Sequence, residues 1–372
     1  MTDTATQHLL PTYARLDVTF VYGDGMWLVD AAGRRYLDCL GGIAVVSLGH
    51  RHPAPLAAAH AQLDRLWHVS NLFWTEPMQE LASRLSDRFG GASAFYCNSG
   101  AEAVEAAIKW ARKSTGRPGL VALENSFHGR TAGALSITGQ PAKRAAFEPL
   151  LPGVVFATPS TLADVVSDET AAIVLEPVQG EGGVHPLSAE TLAEARELAD
   201  EHGAMLVFDE IQTGVGRCGS FFAWERSGVK PDAVTLAKGL ANGLPIGVLL
   251  VSADAPIGFE PGDHGSTFGG NLVSCAAACA VVDTIDDAFL TRVRDVSAQL
   301  AAGLAPFGAV RGLGLLLGVD IDRPVGPVVD GALARGLVVG TAGERTLRLA
   351  PPLVITADEA AQAVDILAEV LA

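Results

Sequence analysis

The sequence has 372 residues, of which 49% are hydrophobic and 18% charged, and its 26 basic and 42 acidic side chains give a formal net charge of −16. This length and composition indicate a large α/β enzyme and exclude a small disulfide-stapled module, a disordered chain and a fibrous protein. The negative charge disfavours nucleic acid and anionic membranes as partners, and five scattered cysteines without paired spacing predict neither disulfides nor a zinc site.

No segment is predicted to export or anchor the chain. Residues 1–15 carry polar side chains where a signal peptide needs an apolar run, and the apolar stretches 246–251 and 313–319 are too short to cross a bilayer. These features favour a cytoplasmic protein with reduced cysteines. The histidines, including His50 and His52, lack ligand spacing and are interpreted as caps or packed polar residues, so no metal site is expected.

Strands and helices alternate along most of the chain. A hairpin over 25–38 opens a strand-rich arm, residues 1–45, which we expect to join a small domain. Residues 46–272 are expected to form a large domain with a mostly parallel sheet covered by helices. Its main predicted helices are 80–89, 101–113 and 188–202, and its main predicted strands are 119–124, 171–176, 204–209 and 232–237.

The last part of the chain, residues 273–372, is expected to form the rest of a smaller α+β domain. A helix at 271–286 leads out of the large domain. The elements predicted after it are helices at 290–304 and 357–371 and strands at 311–319 and 347–350.

Two predicted strands end in residues that can do chemistry. The apolar run 204–208 ends at Asp209, at the sheet edge where α/β proteins bind ligands, although an acid there is also an ordinary cap or turn residue. The strand 232–237 leads to Lys238 and then Gly239. Most lysines are solvated, but desolvation at this strand end would lower the pKa of Lys238 and favour a neutral amine that can form an imine.

Two further segments contain residues that could contact a bound ligand. Ser99, Gly100 and Ala101 open a predicted helix, whose free N–H groups can hold a phosphate or simply be capped. Phe127 follows a strand and can cover a planar ring, and Arg130 can bind a carboxylate through two hydrogen bonds; the alternative is a packed Phe and a surface Arg. A lysine, an acid, a phosphate cradle and an aromatic cover are what pyridoxal phosphate (PLP) requires of a protein.

In these motifs the chain resembles the class III (ω-amino) aminotransferases over about residues 13–353. The motifs that carry the resemblance lie at 66–73, 98–102, 127–130, 176–183, 209–212 and 264–271. The resemblance implies a fold-type-I PLP-dependent transferase with a mostly parallel sheet of seven strands and a smaller α+β domain. It also implies a homodimer whose active sites are shared between subunits.

The resemblance implies a role for individual residues. Lys238 would bind the cofactor's aldehyde and act as the catalytic base, Asp209 would pair with the ring nitrogen, and Gln212 would contact the phenolic oxygen. The other implied cofactor contacts are Ser99, Gly100 and Ala101 at the phosphate, Thr267 of the partner subunit at the same phosphate, and Phe127 on the ring. The implied substrate contacts are Arg130, Ser266, Glu181 and Arg348.

Glu181 and Arg348 match a pair that lets one pocket accept two substrates. Paired with Glu181, Arg348 is neutralised and a basic amine can enter; when Glu181 moves away, Arg348 can bind a carboxylate of glutamate or 2-oxoglutarate. The alternative is a surface ion pair of little energetic consequence.

The implied reaction moves the terminal amine of N2-acetyl-L-ornithine to 2-oxoglutarate, a step of arginine biosynthesis. Succinyl-diaminopimelate, ornithine and 4-aminobutyrate remain alternative donors, and an aminomutase that moves the amine within glutamate semialdehyde remains a further alternative. Ile43 stands where ornithine-specific relatives carry Tyr, which disfavours ornithine. Ala101 and Cys218 replace a Thr common in relatives, and segment 320–331 is shortened, but no catalytic group is lost, which argues against a mere scaffold protein.

Overall fold

A computed structural model of the chain describes residues 8–372, and the first seven residues of the predicted arm lie outside the described part. The strands are β1 Phe20–Asp24, β2 Trp27–Asp30, β3 Arg35–Asp38, β4 Ala92–Cys97, β5 Gly119–Leu123, β6 Val154–Ala157, β7 Thr170–Leu175, β8 Val178–Gln179, β9 His185–Pro186, β10 Met205–Asp209, β11 Ala233–Leu236, β12 Gly247–Ser252, β13 Ala309–Leu313, β14 Leu316–Asp320, β15 Leu337–Val338, β16 Gly340–Thr341 and β17 Thr346–Leu349. The helices are α1 Gly41–Ala44, α2 Pro53–Leu63, α3 Glu76–Phe89, α4 Gly100–Thr115, α5 Ala132–Ser136, α6 Pro141–Arg144, α7 Leu162–Val165, α8 Ala189–His202, α9 Leu272–Thr284, α10 Asp287–Leu304, α11 Val325–Ala334 and α12 Ala357–Leu371.

The largest sheet has seven strands in the order β4-β12-β11-β10-β7-β5-β6. Neighbouring strands run parallel except at β12, which is antiparallel to both β11 and β4. Its central strands are runs of buried residues, as in Thr170–Leu175, which is typical of strands covered on both faces by helices. The predicted α/β class with a mostly parallel seven-stranded sheet is therefore confirmed.

Helices cover both faces of this sheet. On one face α4 packs through Val104, Ala107 and Trp110. On the other face α3, α8 and α9 bury side chains such as Leu81 and Leu192. Because the helices protect the faces, polar groups that follow the strands collect at the carboxyl edge of the sheet.

A second sheet, β13-β14-β17-β16, is antiparallel and packs against α10, α11 and α12. The prediction of one strand at 311–319 was wrong, because the segment is a hairpin that turns at Gly314. This glycine has φ +58, and a Cβ there would lie 2.4 Å from the carbonyl oxygen of Arg217. Helix α11 occupies the segment that the sequence analysis treated only as shortened.

The arm forms a third sheet, β1-β2-β3-β15, in which the predicted hairpin is joined by a strand from far along the chain. Strand β3 pairs in parallel with β15, with Leu37 opposite Leu337. The arm therefore packs with C-terminal elements, while the domain boundaries at 45 and 272 stay predictions.

Several smaller expectations can be compared with the described residues. The five cysteines are buried free thiols. His52 caps α2 by accepting a hydrogen bond from the N–H of Ala54 at 3.3 Å, and His50 contacts Asp38 at 2.8 Å. Within residues 8–372, no helix combines the length and apolar character needed to cross a membrane.

Candidate active site

A cavity of about 410 Å³ opens at the carboxyl edge of the large sheet. It collects segments that follow β4, β5, β7, β10 and β11, although these strands are far apart in sequence. Nine of the predicted site residues line it: Ser99, Gly100, Ala101, Phe127, Arg130, Glu181, Asp209, Gln212 and Lys238. The edge identified from strand-terminal residues is thus the edge that carries the cavity.

Lys238 lies two residues after the end of β11 and begins a short 3₁₀ turn that ends at Ala241. Its φ of +35 is unusual for a residue with a side chain and shows that the surrounding structure holds the backbone in a strained conformation. Burial lowers the pKa of Lys238, while the nearby charge of Glu181 opposes this effect. The predicted desolvated amine is therefore present, and its neutral form is the nucleophilic one.

Asp209 ends β10 and is only 3% exposed. One carboxylate oxygen accepts hydrogen bonds from the Thr235 hydroxyl and the Ile211 N–H, both at 3.1 Å. The other contacts Nδ1 of His128 at 2.7 Å. Three partners on three segments hold this buried carboxylate in one orientation at the cavity wall.

Sequence reasoning missed His128, although it follows Phe127 directly. The side chain is buried against Asp209. Burial opposes protonation of His128, but the hydrogen bond and charge of Asp209, together with the charge of Glu176, outweigh burial and raise the pKa of His128. The only available signal was its place beside Phe127, because the contact with Asp209 joins residues 81 positions apart.

Glu176 is a second acid that the sequence analysis did not assign. It follows β7 and accepts hydrogen bonds from the N–H groups of Phe127 at 2.7 Å and Gly180 at 3.2 Å. Burial raises the pKa of Glu176 to about 7, and the charge of Asp209 adds to this effect. Its contacts fix the segment that presents Phe127 to the cavity.

The first turn of α4 lies at the segment for which the sequence predicts a phosphate cradle. Ser99 is the N-cap and accepts a hydrogen bond from the N–H of Glu102 at 3.3 Å. A Cβ on Gly100 would lie 2.8 Å from the Ile211 side chain, so only glycine lets this backbone approach so closely. The free N–H groups at a helix start of this kind attract anions.

Phe127 lies on the cavity wall and carries two cations near its ring. The Arg130 guanidinium is 5.6 Å and the Lys143 ammonium 5.0 Å from the ring centroid. Cations at these distances are attracted to the face of an aromatic ring. The aromatic cover and the predicted carboxylate-binding arginine therefore belong to one cluster, to which the structure adds Lys143.

Glu181 and Arg348 form an ion pair between the turn that joins β8 to β9 and strand β17 of the second sheet. Burial alone would raise the pKa of Glu181, but the charge and hydrogen bond of Arg348 lower it. The Gln212 amide contacts the same carboxylate at 3.5 Å. Arg348 is only 3% exposed, so the alternative of a surface ion pair is wrong.

Three predicted residues lie outside the cavity wall. Arg348 reaches it through Glu181. The Ser266 hydroxyl accepts a hydrogen bond from the Asn98 amide at 3.0 Å and so lies beside the cradle. Thr267 is exposed, and its implied contact with a phosphate of the partner subunit stays a prediction.

These groups fit PLP. The cavity presents an amine for its aldehyde, helix N–H groups for its phosphate and a buried acid for its ring nitrogen. Within residues 8–372, the Gln212 side-chain oxygen and Nε2 of His128 are buried without a hydrogen-bond partner, so polar atoms at the wall are free to bond. No group of three metal-ligating side chains is found in the same described residues.

Comparisons with known proteins agree with this geometry. The profile of the family Aminotransferase class-III matches residues 11–371. An acetylornithine aminotransferase from Corynebacterium efficiens is 48% identical over 98% of this chain and 95% of its own length. One from Myxococcus xanthus is 44% identical over 95% of this chain and 93% of its own length.

Solved structures agree as well. The N-acetylornithine aminotransferase from Stenotrophomonas maltophilia has a TM-score of 0.84 and 34% identity, covering 99% of this chain and 97% of that one. The ornithine aminotransferase from Toxoplasma gondii has a TM-score of 0.94 and 31% identity, covering 99% and 93%. The chain therefore belongs to the class III aminotransferases, which are PLP-dependent transaminases.

Proposed function

We propose that the protein transfers the terminal amine of N2-acetyl-L-ornithine to 2-oxoglutarate, giving N-acetylglutamate 5-semialdehyde and L-glutamate. The observation that carries the proposal is identity of 41–48% with eight acetylornithine aminotransferases along nearly the whole chain. This substrate pair implies a role in arginine biosynthesis, and a cytoplasmic location is part of the proposal.

The bound cofactor supplies an aldehyde carbon that takes up the amino group and a ring that accepts the electrons left by proton removal. Lys238 acts as the base, and its Nζ takes the proton from the substrate carbon that bears the amine. Burial supports this role because it favours the neutral amine. Asp209 holds the proton of the ring nitrogen, since its three hydrogen-bond partners keep the carboxylate aimed in one direction.

The remaining site residues bind and orient. Gly100 and Ala101 would hold the phosphate through backbone N–H groups, with Ser99 capping the helix. Phe127 would cover the ring, and Gln212 would contact the phenolic oxygen. Arg130 binds the substrate's α-carboxylate, and Ser266 lies at the same end.

The ion pair of Glu181 and Arg348 allows the cavity to serve both half-reactions. While Glu181 neutralises Arg348, the basic terminal amine of the donor and its aliphatic chain can enter the pocket without meeting a free cation. When Glu181 leaves, Arg348 is free to bind the second carboxylate of 2-oxoglutarate through two hydrogen bonds. The burial of Arg348 supports this role, because a buried cation needs a counter-charge in each state.

The active enzyme is a homodimer in this proposal, with Thr267 of the partner subunit completing each phosphate site. Large exposed apolar side chains support an interface near this segment. Leu72 is 86%, Trp74 82% and Phe268 59% exposed in the single chain. Apolar surface of this kind in a folded protein marks an interaction site.

A panel of amine donors with 2-oxoglutarate tests the proposal. Glutamate formation should give the highest kcat/KM with N2-acetylornithine, and lower values with succinyl-diaminopimelate, ornithine and 4-aminobutyrate. A preference for one of the other donors would replace the proposed substrate while leaving the reaction class intact. Turnover of glutamate semialdehyde without an added keto acid would instead indicate the aminomutase.

A further inference from the structure

Lys143 is a cation that lies against the Phe127 ring of the cavity wall and that none of the proposed roles uses. It lies on α6, partly buried, with its ammonium 5.0 Å from the centroid of the Phe127 ring that lines the cavity. Its ammonium donates a hydrogen bond to the neutral side chain of Gln140. Among residues 8–372 it forms no salt bridge, in contrast to Arg348, which pairs with Glu181.

Glu181 lies where it can act on both cations. Its carboxylate is paired with Arg348 and lines the same cavity wall as Phe127. Burial lowers the pKa of Lys143, and Glu181 is the charge that opposes this most strongly, whereas Arg130 and Arg348 add to the lowering. The Lys143 ammonium is therefore stabilised by any movement of Glu181 towards it.

The movement of Glu181 away from Arg348, which we call the gate, would leave the Glu181 carboxylate without its charged partner. A carboxylate that leaves its partner inside a cavity becomes an uncompensated charge, which is strongly unfavourable. Gln212 is neutral and Lys238 must keep its amine free for chemistry. Lys143 has a long flexible side chain and only a neutral partner to give up.

We propose that Lys143 is a positioning residue that receives the carboxylate of Glu181 when Arg348 is released to bind a dicarboxylate. The inference rests on the proposed function, in which Glu181 leaves Arg348 for the second half-reaction. In the closed state Glu181 pairs with Arg348 and Lys143 with Gln140. In the open state Glu181 pairs with Lys143 and Arg348 with the substrate, so Glu181 and Arg348 each have a charged partner in both states.

Equilibrium binding of two unreactive ligands to the PLP-loaded enzyme tests the exchange without turnover. Glutarate has two carboxylates and needs a free Arg348, whereas N-acetylnorvaline has one carboxylate and does not. In Lys143→Met, the Kd for glutarate should rise about tenfold, while the Kd for N-acetylnorvaline should stay unchanged. This loss is larger than that from removing one partner of an exposed ion pair and smaller than that from removing one partner of a buried pair. In Lys143→Arg, the affinity for glutarate should return.

A matched control and a kinetic readout accompany these measurements. Arg144→Met removes a charge from the same helix, but its guanidinium lies over the Phe156 ring, 4.2 Å from the centroid, so both ligands should bind as in the parent. In turnover, Lys143→Met should raise the KM for 2-oxoglutarate and leave kcat close to its original value. A general loss of structure would lower kcat as well.

The Glu181→Gln background separates this inference from the gate itself. With no carboxylate to receive, Lys143→Met should have no further effect on glutarate binding. A loss that persists in this background, or an equal loss for both ligands, would mean that Lys143 binds substrate directly and would overturn the exchange. Unchanged glutarate binding in Lys143→Met would overturn it too. If Glu181→Gln leaves the ratio of the two affinities unchanged, the gate in the proposed function fails first.

Discussion

Replacing His128 by Asn tests the energetic role of its contact with Asp209. The Asn amide nitrogen can take the place of Nδ1, so a hydrogen-bond donor is kept while the positive charge is removed. Both side chains are almost fully buried and the two atoms are 2.7 Å apart. Loss of the cation leaves a carboxylate uncompensated in a low-dielectric site, so we expect the free energy of unfolding to fall by about 2–4 kcal/mol.

The size of this loss should depend on pH, and the direction of that dependence follows from the pKa of His128. The contact with Asp209 raises that pKa in the folded protein. The stabilisation is therefore complete below the unfolded pKa of about 6.5 and is lost as pH rises through the folded value. Urea unfolding of the PLP-free protein, in which no ring nitrogen compensates Asp209, should show a larger difference between the parent and His128→Asn at pH 6 than at high pH when the protein concentration is fixed.

His202 provides a matched control, because its Nδ1 contacts Asp168 at 2.8 Å on the surface, where the Asp168 side chain is 89% exposed. Solvent screens such a pair, so His202→Asn should leave the unfolding curve unchanged. Equal effects of the two substitutions, or a loss in His128→Asn that is the same at every pH, would refute the argument that a buried charged pair supports Asp209.

Three further predictions concern the cavity. Lys238→Ala should abolish turnover, and borohydride reduction should no longer attach PLP to the protein, as read by mass spectrometry; full activity would contradict the assignment. Gly100→Ala places a Cβ 2.8 Å from Ile211 and should weaken PLP binding measured by fluorescence titration, while Gly326→Ala, with open space around its Cβ, should not. Because burial raises the pKa of Glu176 to about 7, Glu176→Gln should cost less stability at pH 8 than at pH 5, and the opposite order would exclude a desolvated carboxylate.

Local sequence patterns were enough to predict at which edge of the sheet the proposed catalytic residues lie. A parallel strand is a short buried apolar run, and the residue that ends it must lie at the carboxyl edge of the sheet. Asp209 and Lys238 each follow such a run, so their arrival at one cavity required only that β10 and β11 be neighbours. Gly100 is similarly fixed by the start of α4 and its N-cap, Ser99.

Other features depend on contacts that leave no local signal. The prediction of one strand at 311–319 failed because the residues on both sides of Gly314 are apolar, so periodicity did not show the turn. Helix α11 was missed because Pro324, Pro327 and two glycines weaken its pattern, although burial of Val328 and Ala332 stabilises it. In both cases tertiary packing outweighs the intrinsic preference of the segment.

Some of the charged residues around the cavity were predictable from sequence motifs, whereas the positions of others depend on tertiary contacts. Sequence motifs indicated Glu181 and Arg348 as a pair, but the positions of His128, Glu176 and Lys143 relative to them come from the packing of separate segments. A charged side chain buried here is tolerable only if every state of the site offers it a partner. We therefore expect the partner choices of the cations and acids around Phe127 to depend on one another. A substitution at one of them should change which partner the others prefer while the fold is kept.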